Sequence, residues 1–361
     1  MTRLTLVTEI PAPYRIPLFN ALADRLNLRV VFLRDRNPAR PYEGHEDERR
    51  FEWHTLGGAE FTVRGRWLVL NHGLLRKLGG SEAVVVGGWN QPAFWEAAAW
   101  CELRRVPLVV WVESTAADHR SGKLEPAKRH LLRAVDRFIV PGEASRAYLD
   151  GLGVCPAAIS VAPNAVDPAI FSGGRRTRED GRLRVVAVGR LSHEKGLDVL
   201  VEAVRGLPVE LEIAGVGPEE PRLRALAGDN VSFLGWVARD ALPDLYANAD
   251  VAVMPSRSDP WGLVLNEAAL AGLPLVSTTA AGAAWDVIED GVNGFRVPPG
   301  DVRALRAAIE RIADDDAFRR SAAVRSGELA ARFTPEAWAD SVQRTIAGVA
   351  KRDASSRMST A

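Results

Sequence analysis

The stretch MPSRSDPWGLVLNE, residues 254–267, leaves an apolar run at 251–254 and opens a helical pattern through Leu263, Val264, Glu267 and Ala271. A β-branched run that feeds a helix through a loop of small and polar residues is the βα half of a parallel-sheet unit. Gly262 lets the backbone come close to a ligand, and the free N–H groups of the first helical turn make an anion site. Glu267 follows about one turn later, where its carboxylate can accept hydrogen bonds from both hydroxyls of a ribose. Asp259, just before the helix, can hold hydroxyls of a sugar. Taken singly, Asp259 is equally a turn residue ahead of Pro260, and Glu267 an ordinary charge in a helix's first turns.

Some 60 residues upstream the same grammar recurs. A strand ending at Val188 runs into Gly189, Arg190, Leu191, Ser192, His193, Glu194, Lys195 and Gly196, and a helix starts near Leu197. Two cations and flexible backbone thus stand at the carboxyl end of a parallel strand, where open α/β sheets bind ligands. A diphosphate suits this loop: Arg190 offers a planar fork and Lys195 a compact charge, both able to stabilise a departing nucleotide diphosphate. A surface loop with solvated charges is the alternative for this loop alone.

Further outward the alternation continues. Strands are expected at 4–8, 29–32, 83–86, 108–111, 138–140 and 159–162, with helices at 17–25, 92–103, 126–134 and 144–152. The second half repeats the scheme with strands at 183–188, 209–213, 231–234, 251–254 and 275–277. This is an α/β chain of two doubly wound, Rossmann-like units. We expect domains at 1–168 and 183–334, a polar, Gly-rich linker at 169–182, a helix at 335–350 capped by Thr334, and a disordered tail at 351–361. Residues 38–80 mix charged and aromatic residues without a period and read as loop-rich.

The chain has 361 residues, 47% of them apolar, enough for two cores. Its 46 basic and 46 acidic residues balance, so net charge gives no reason to expect a nucleic acid partner. Cys101 and Cys155 lack metal or disulfide spacing, fitting structural thiols in a reducing cytosol. Neither a signal peptide nor an apolar run of about 18 residues is present, so a cytoplasmic location is expected. Basic clusters at Arg76–Lys77 and Lys128–Arg129–His130 with Arg133 leave open a peripheral contact with an anionic membrane on the inner face of the plasma membrane.

Together the second-half motifs resemble the retaining glycosyltransferases of family 4 (glycosyl transferases group 1), which have the GT-B fold. The resemblance runs through VGRLSHEKGLDVL from Val188, IAGVGP from Ile213, FLGWV from Phe233, LYANADVAVMPS from Leu245, then DPWGLVLNEAALAGLPLV and DGVNGFRVPPGD. It implies two domains facing a central cleft, with a C-terminal helix that can cross back to the first. A nucleoside diphosphate sugar is implied as donor substrate, with no further cofactor, and a hydroxyl of a cell-envelope or natural-product glycan, a glycolipid or a small molecule as acceptor. The donor signature is Asp259-x7-Glu267, with Asp where the family usually has Glu. Gly189, Arg190, Lys195, Gly235, Trp236, Val237, Asp259, Pro260, Trp261, Gly262, Leu263 and Glu267 then line the donor site.

In the first half, the family's glycine-rich loop after the first strand is replaced by residues 10–17, IPAPYRIP, whose Tyr14 and Arg15 can reach the acceptor or the donor phosphates. Where many relatives carry a histidine near the reacting sugar, this chain has Glu113, with His119 in the same loop; either can orient the sugar or accept a proton. The turn Gly87-Gly88-Trp89-Asn90-Gln91 offers Trp89 and Asn90 to the acceptor, or simply leads into the helix at Pro92. The catalytic candidates are Glu113, His119, Arg190, Lys195 and Asp259.

Two features are decoys. Gly215-Val216-Gly217 lacks the third glycine of a dinucleotide fingerprint. Asp314-Asp315-Asp316 lies between helical segments and reads as a cap rather than a metal site, so no metal is expected in the chemistry. A catalytically silent sugar-nucleotide-binding protein and a GT-B-fold epimerase are the rival functions.

Overall fold

The structure, a computed structural model, describes residues 1–36, 46–63, 66–118, 132–171 and 182–358. His119, the basic run 128–130, most of the helix expected at 126–134 and most of the linker lie outside the described residues.

Strands β1 (Arg3–Thr8), β2 (Asn27–Phe32), β3 (Glu52–Thr55), β6 (Ala83–Val86), β7 (Leu108–Trp111), β8 (Arg137–Val140) and β9 (Ile159–Val161) form one parallel sheet. Its order is β3-β2-β1-β6-β7-β8-β9, with the hairpin β4 (Gly57–Val63) and β5 (Arg66–His72) standing apart. The second sheet, also parallel, runs β12-β11-β10-β13-β14-β15. Its strands are β10 (Leu183–Val188), β11 (Val209–Ala214), β12 (Val231–Gly235), β13 (Val251–Met254), β14 (Leu275–Thr278) and β15 (Gly294–Val297). Nearly continuous runs of buried residues in β1, β6, β7 and β13 reflect helices on both faces, as expected for parallel strands.

In each sheet the strand order reverses once, between β1 and β6 and between β10 and β13. Ligands of doubly wound sheets bind outside the carboxyl ends of the strands at such a reversal. The fold therefore supplies two crevices, one per domain, and both carry the residues singled out above.

The C-terminal helix Pro335–Met358 returns to the first domain, packing on the helix Ile16–Ala23 and on β8 and β9. Thr334 Oγ1 accepts from Ala337 N–H at 3.2 Å, the expected cap. Trp338, 1% exposed, packs at a tilt against Trp111 and Phe19 at ring separations of 5.2 and 6.1 Å. Arg25 Nε donates to Asp340 Oδ1 at 2.6 Å. One apolar cluster thus runs from Leu6 and Trp111 of the first domain through Trp338 to Tyr246 and Leu265 of the second.

Three expectations change. Residues 38–80 hold β3, the hairpin and a helix, Leu74–Leu78. The ribbon hid from periodicity because all of β4 is exposed and so shows no alternation. Strand β15 is added to those expected, a four-residue run that starts at Gly294 and stops at two prolines. The C-terminal helix continues through Met358, because residues 351–358, KRDASSRM, contain neither Gly nor Pro to end it.

Candidate active site

In the second domain two loops meet at the reversal. Glu194 C=O accepts from Arg257 N–H at 2.8 Å and Ser258 N–H at 3.3 Å, which ties the loop after β10 to the loop after β13. Arg257 also donates to Asp198 at 2.7 and 2.9 Å and to His193 C=O at 3.0 Å. Lys195 Nζ donates to Asp259 Oδ2 at 2.5 Å, and Arg190 pairs with Glu194. The two residues expected at phosphate and sugar are thus one ion pair, three-quarters or more buried. Asp259 also accepts from Trp261 N–H at 3.3 Å through Oδ1, so the shorter carboxylate is fixed on both sides.

Gly262 caps the helix Leu263–Leu270 with φ 95°, and a Cβ there would stand 2.4 Å from Met254 Cε. Both the left-handed backbone and the sulfur packed against it require glycine. On this helix Glu267 Oε2 accepts from Tyr246 O–H at 2.7 Å. Burial pushes the Glu267 carboxyl up, against the pull of Tyr246 and Arg239, and burial likewise raises the Tyr246 phenol. Among the described residues Oε1 has no partner.

The strand ends Gly189, Gly215 and Gly235 line up through Gly189 N–H to Ala214 C=O, 2.9 Å, and Gly215 N–H to Gly235 C=O, 2.7 Å. Trp236 beside them is 66% exposed, with Val237 half-buried. Leu263 is half-buried in the first turn. Trp261 departs from expectation. It is 4% exposed, its indole N–H bonds Asn266 Oδ1 at 2.9 Å, and it packs on Phe333, so it braces the domains rather than facing a ligand.

That brace reaches the first domain. Gly142 lies so close to Trp261 and Asp286 that an added Cβ would stand 2.7 Å from Trp261 Cζ3 and 2.2 Å from Asp286 Oδ2. Asp286 accepts from Glu143 N–H at 3.1 Å, capping the first-domain helix Glu143–Gly151 from across the interface. Burial lifts the Asp286 carboxyl to about 6.

The first-domain reversal holds a cavity of about 220 Å³, lined by Glu9, Tyr14, Arg15, Trp89, Asn90 and Glu113 among others, with Pro260 arriving from the second domain. All four acceptor-side candidates therefore come together, with Glu113. Arg15 lies over the Trp111 ring at 4.6 Å and donates to Thr8 Oγ1 at 2.9 Å and Glu113 Oε2 at 2.8 Å. Glu113 Oε1 accepts from Asn164 Nδ2 at 2.8 Å, leaving both its oxygens held. Glu9, which the sequence reading missed, accepts at Oε1 from Asn90 Nδ2 at 2.5 Å and Gln91 Nε2 at 3.3 Å. Its position directly after the first strand was the available signal. Gln91 also grips Val69 N–H and Trp67 C=O at 3.1 Å each, fixing the hairpin to the cavity rim.

Among the described residues no cluster of three His, Cys, Asp or Glu could hold a metal, and no helix is long and apolar enough to cross a membrane. Asp315 caps the helix Asp316–Ala330 by accepting from Phe318 N–H at 2.8 Å. Cys101 is buried, which pushes its thiol up to about 12, and Cys155 is exposed.

Comparison with known proteins follows the same division. Residues 182–315 match the model of the glycosyl transferases group 1, and residues 18–170 match that of glycosyltransferase family 4. Glycogen synthase of Mycobacterium tuberculosis is 32% identical over 255 residues, 63% of this chain and 60% of that protein. The lipopolysaccharide core biosynthesis glycosyltransferase LpsE of Rhizobium meliloti is 38% identical over 170 residues, 45% of this chain and 49% of its own length. The chain thus matches about half to three-fifths of these relatives' length. HepE from Anabaena, solved in complex with UDP and glucose, superposes with a TM-score of 0.77 over 96% of this chain and 100% of that one, at 20% identity, a likeness of fold. Two family models, one in each domain, together with the GT-B fold, make this chain a member of the family 4, group 1 glycosyltransferases.

Proposed function

We propose that the protein transfers a sugar from a nucleoside diphosphate sugar to an acceptor hydroxyl with retention of configuration. The observation that carries this reading is the dipeptide Asp259–Pro260. Asp259 holds Lys195 at the phosphate-suited crevice, and Pro260 lines the first-domain cavity. The donor's leaving group and the acceptor thus meet across one peptide bond. Pro260 and Asp259 stand between them, at the transferred sugar.

The chemistry follows from charge. As the bond from the anomeric carbon to the diphosphate breaks, negative charge grows on the leaving oxygen. Arg190, Lys195 and the N–H groups at Gly262 stabilise it, and do so best where water is thinned by the opposing domain. The acceptor oxygen bonds the anomeric carbon on the face the diphosphate vacates, and its proton passes to a leaving phosphate oxygen. No protein base is required. Glu113, with both oxygens held by Arg15 and Asn164, acts as an orienting group, and Glu267 Oε1 anchors the ribose. The same cations would serve in place of a metal.

A thermal-shift panel of uridine, guanosine, adenosine and thymidine diphosphate sugars tests the donor, with UDP-glucose first because HepE was solved with UDP and glucose. At least one should raise the melting temperature, and none doing so would contradict the reading. Proton NMR of the product then reads the anomer; inversion would overturn the front-face route. Tight donor binding with no turnover on any acceptor would favour the silent binding protein.

A further inference from the structure

The cavity at the first-domain reversal has an unusual wall. Three charged residues line it, Glu9, Arg15 and Glu113. Arg15 and Glu113 neutralise one another at 2.8 Å, so the wall keeps one net negative charge, that of Glu9. Asn90 and Gln91 both hold Glu9 through Oε1. Among the described residues Oε2 has no partner. Glu9 is half-buried, and no cation among the described residues pairs with it.

These features select a ligand. A phosphate or carboxylate meets like charge at Glu9. A hydroxyl suits both Glu9 and its neighbours, because it donates to a carboxylate and accepts from an amide or guanidinium. A vicinal hydroxyl pair fits a carboxylate whose second oxygen is open. Trp89, half-buried on the wall, adds the flat apolar surface on which a sugar ring's C–H face rests. The cavity, about 220 Å³, has room for a sugar ring.

We propose that this cavity takes a hydroxyl-rich sugar unit of the acceptor that carries no negative charge, anchored by hydroxyls on Glu9 and set against Trp89. The proposal rests on the reading of the protein as a glycosyltransferase and names the acceptor's chemical class. Glu9 is its specificity determinant, selecting against acceptor units that carry a phosphate or carboxylate at this position.

The test is saturation-transfer NMR on the full-length protein with an equimolar mixture. It contains methyl glycosides of glucose, galactose and mannose, with their 6-phosphates and uronates. At least one neutral glycoside should show transfer about tenfold stronger than each of its charged counterparts. In Glu9→Gln, which keeps the side chain's shape, that signal should fall about tenfold, while Glu9→Asp should recover part of it. Stronger transfer to any phosphate or uronate overturns the proposal, as does no transfer to any neutral glycoside or a signal unmoved by Glu9→Gln. Release of nucleoside diphosphate from sugar nucleotides by the wild-type protein is measured alongside. If release occurs and the neutral glycosides fail to bind, this inference falls and the donor reading stands; if no donor is cleaved, the underlying reading falls.

Discussion

The two reversal points are built differently. In the second domain the charged residues of the site come from two unbroken peptides, 189–196 and 254–267, joined by Glu194 C=O and the Lys195–Asp259 pair. In the first it is assembled from separate places: Glu9 to Arg15, the turn Trp89–Gln91, Glu113 and Asn164, with Pro260 from the far domain. One site is a motif and the other a convergence. A motif holds a fixed chemical object, such as a diphosphate. A convergence of strand ends can change one residue at a time, which suits the substrate that varies.

If that contrast is right, substitutions should separate along it. The largest effect is expected at the motif: Lys195→Ala should lower kcat by about 10²–10³, the scale of one lost oxyanion donor, in steady-state assays with the donor found above. Near-normal turnover would break the contrast at its firmest point. Gly262→Ala should cost about 1–3 kcal/mol in urea unfolding, from the left-handed backbone and the Met254 contact. Glu113→Gln releases one of two held oxygens, so it should lower acceptor kcat/KM by only about tenfold. A loss as large as that of Lys195→Ala would mean that Glu113 is a base after all.

The smallest effect concerns the interface. Asp286, pushed up to about 6 from a usual 3.8, binds a proton more tightly folded than unfolded. Its stabilising protonation is complete below about pH 4 and is lost as pH rises through 6. Asp286→Asn keeps an acceptor for Glu143 N–H without the charge. Its melting temperature relative to the wild type should therefore rise between pH 4 and pH 7. A flat difference would show that the carboxylate is not strained by its place between the domains.

The same contrast explains what was legible beforehand. The βα alternation and buried strand runs reveal the two sheets, since each strand carries its burial in its own residues. Arg190, Lys195, Gly262 and Glu267 stood out as candidates because they sit within two short spans. Glu9 had only its place after the first strand to mark it, since nothing near it in the chain announces that Asn90 and Gln91, some 80 residues away, will hold it. Trp261 was misread for the converse reason: inside a donor motif, it is claimed by a neighbour 119 positions upstream, Gly142, whose missing side chain admits it. The fully exposed strand β4 carries no amphipathic signal at all.

The most direct test of the account measures nucleoside diphosphate release, and binding of the free nucleotide by calorimetry, in wild type, Lys195→Ala and Glu113→Gln. The account predicts release by the wild type from at least one donor, loss of release by at least about a hundredfold in Lys195→Ala, and nucleotide binding retained in Glu113→Gln. Release by Lys195→Ala at the wild-type rate, or nucleotide affinity that depends on Glu113 more than on Lys195, would contradict it.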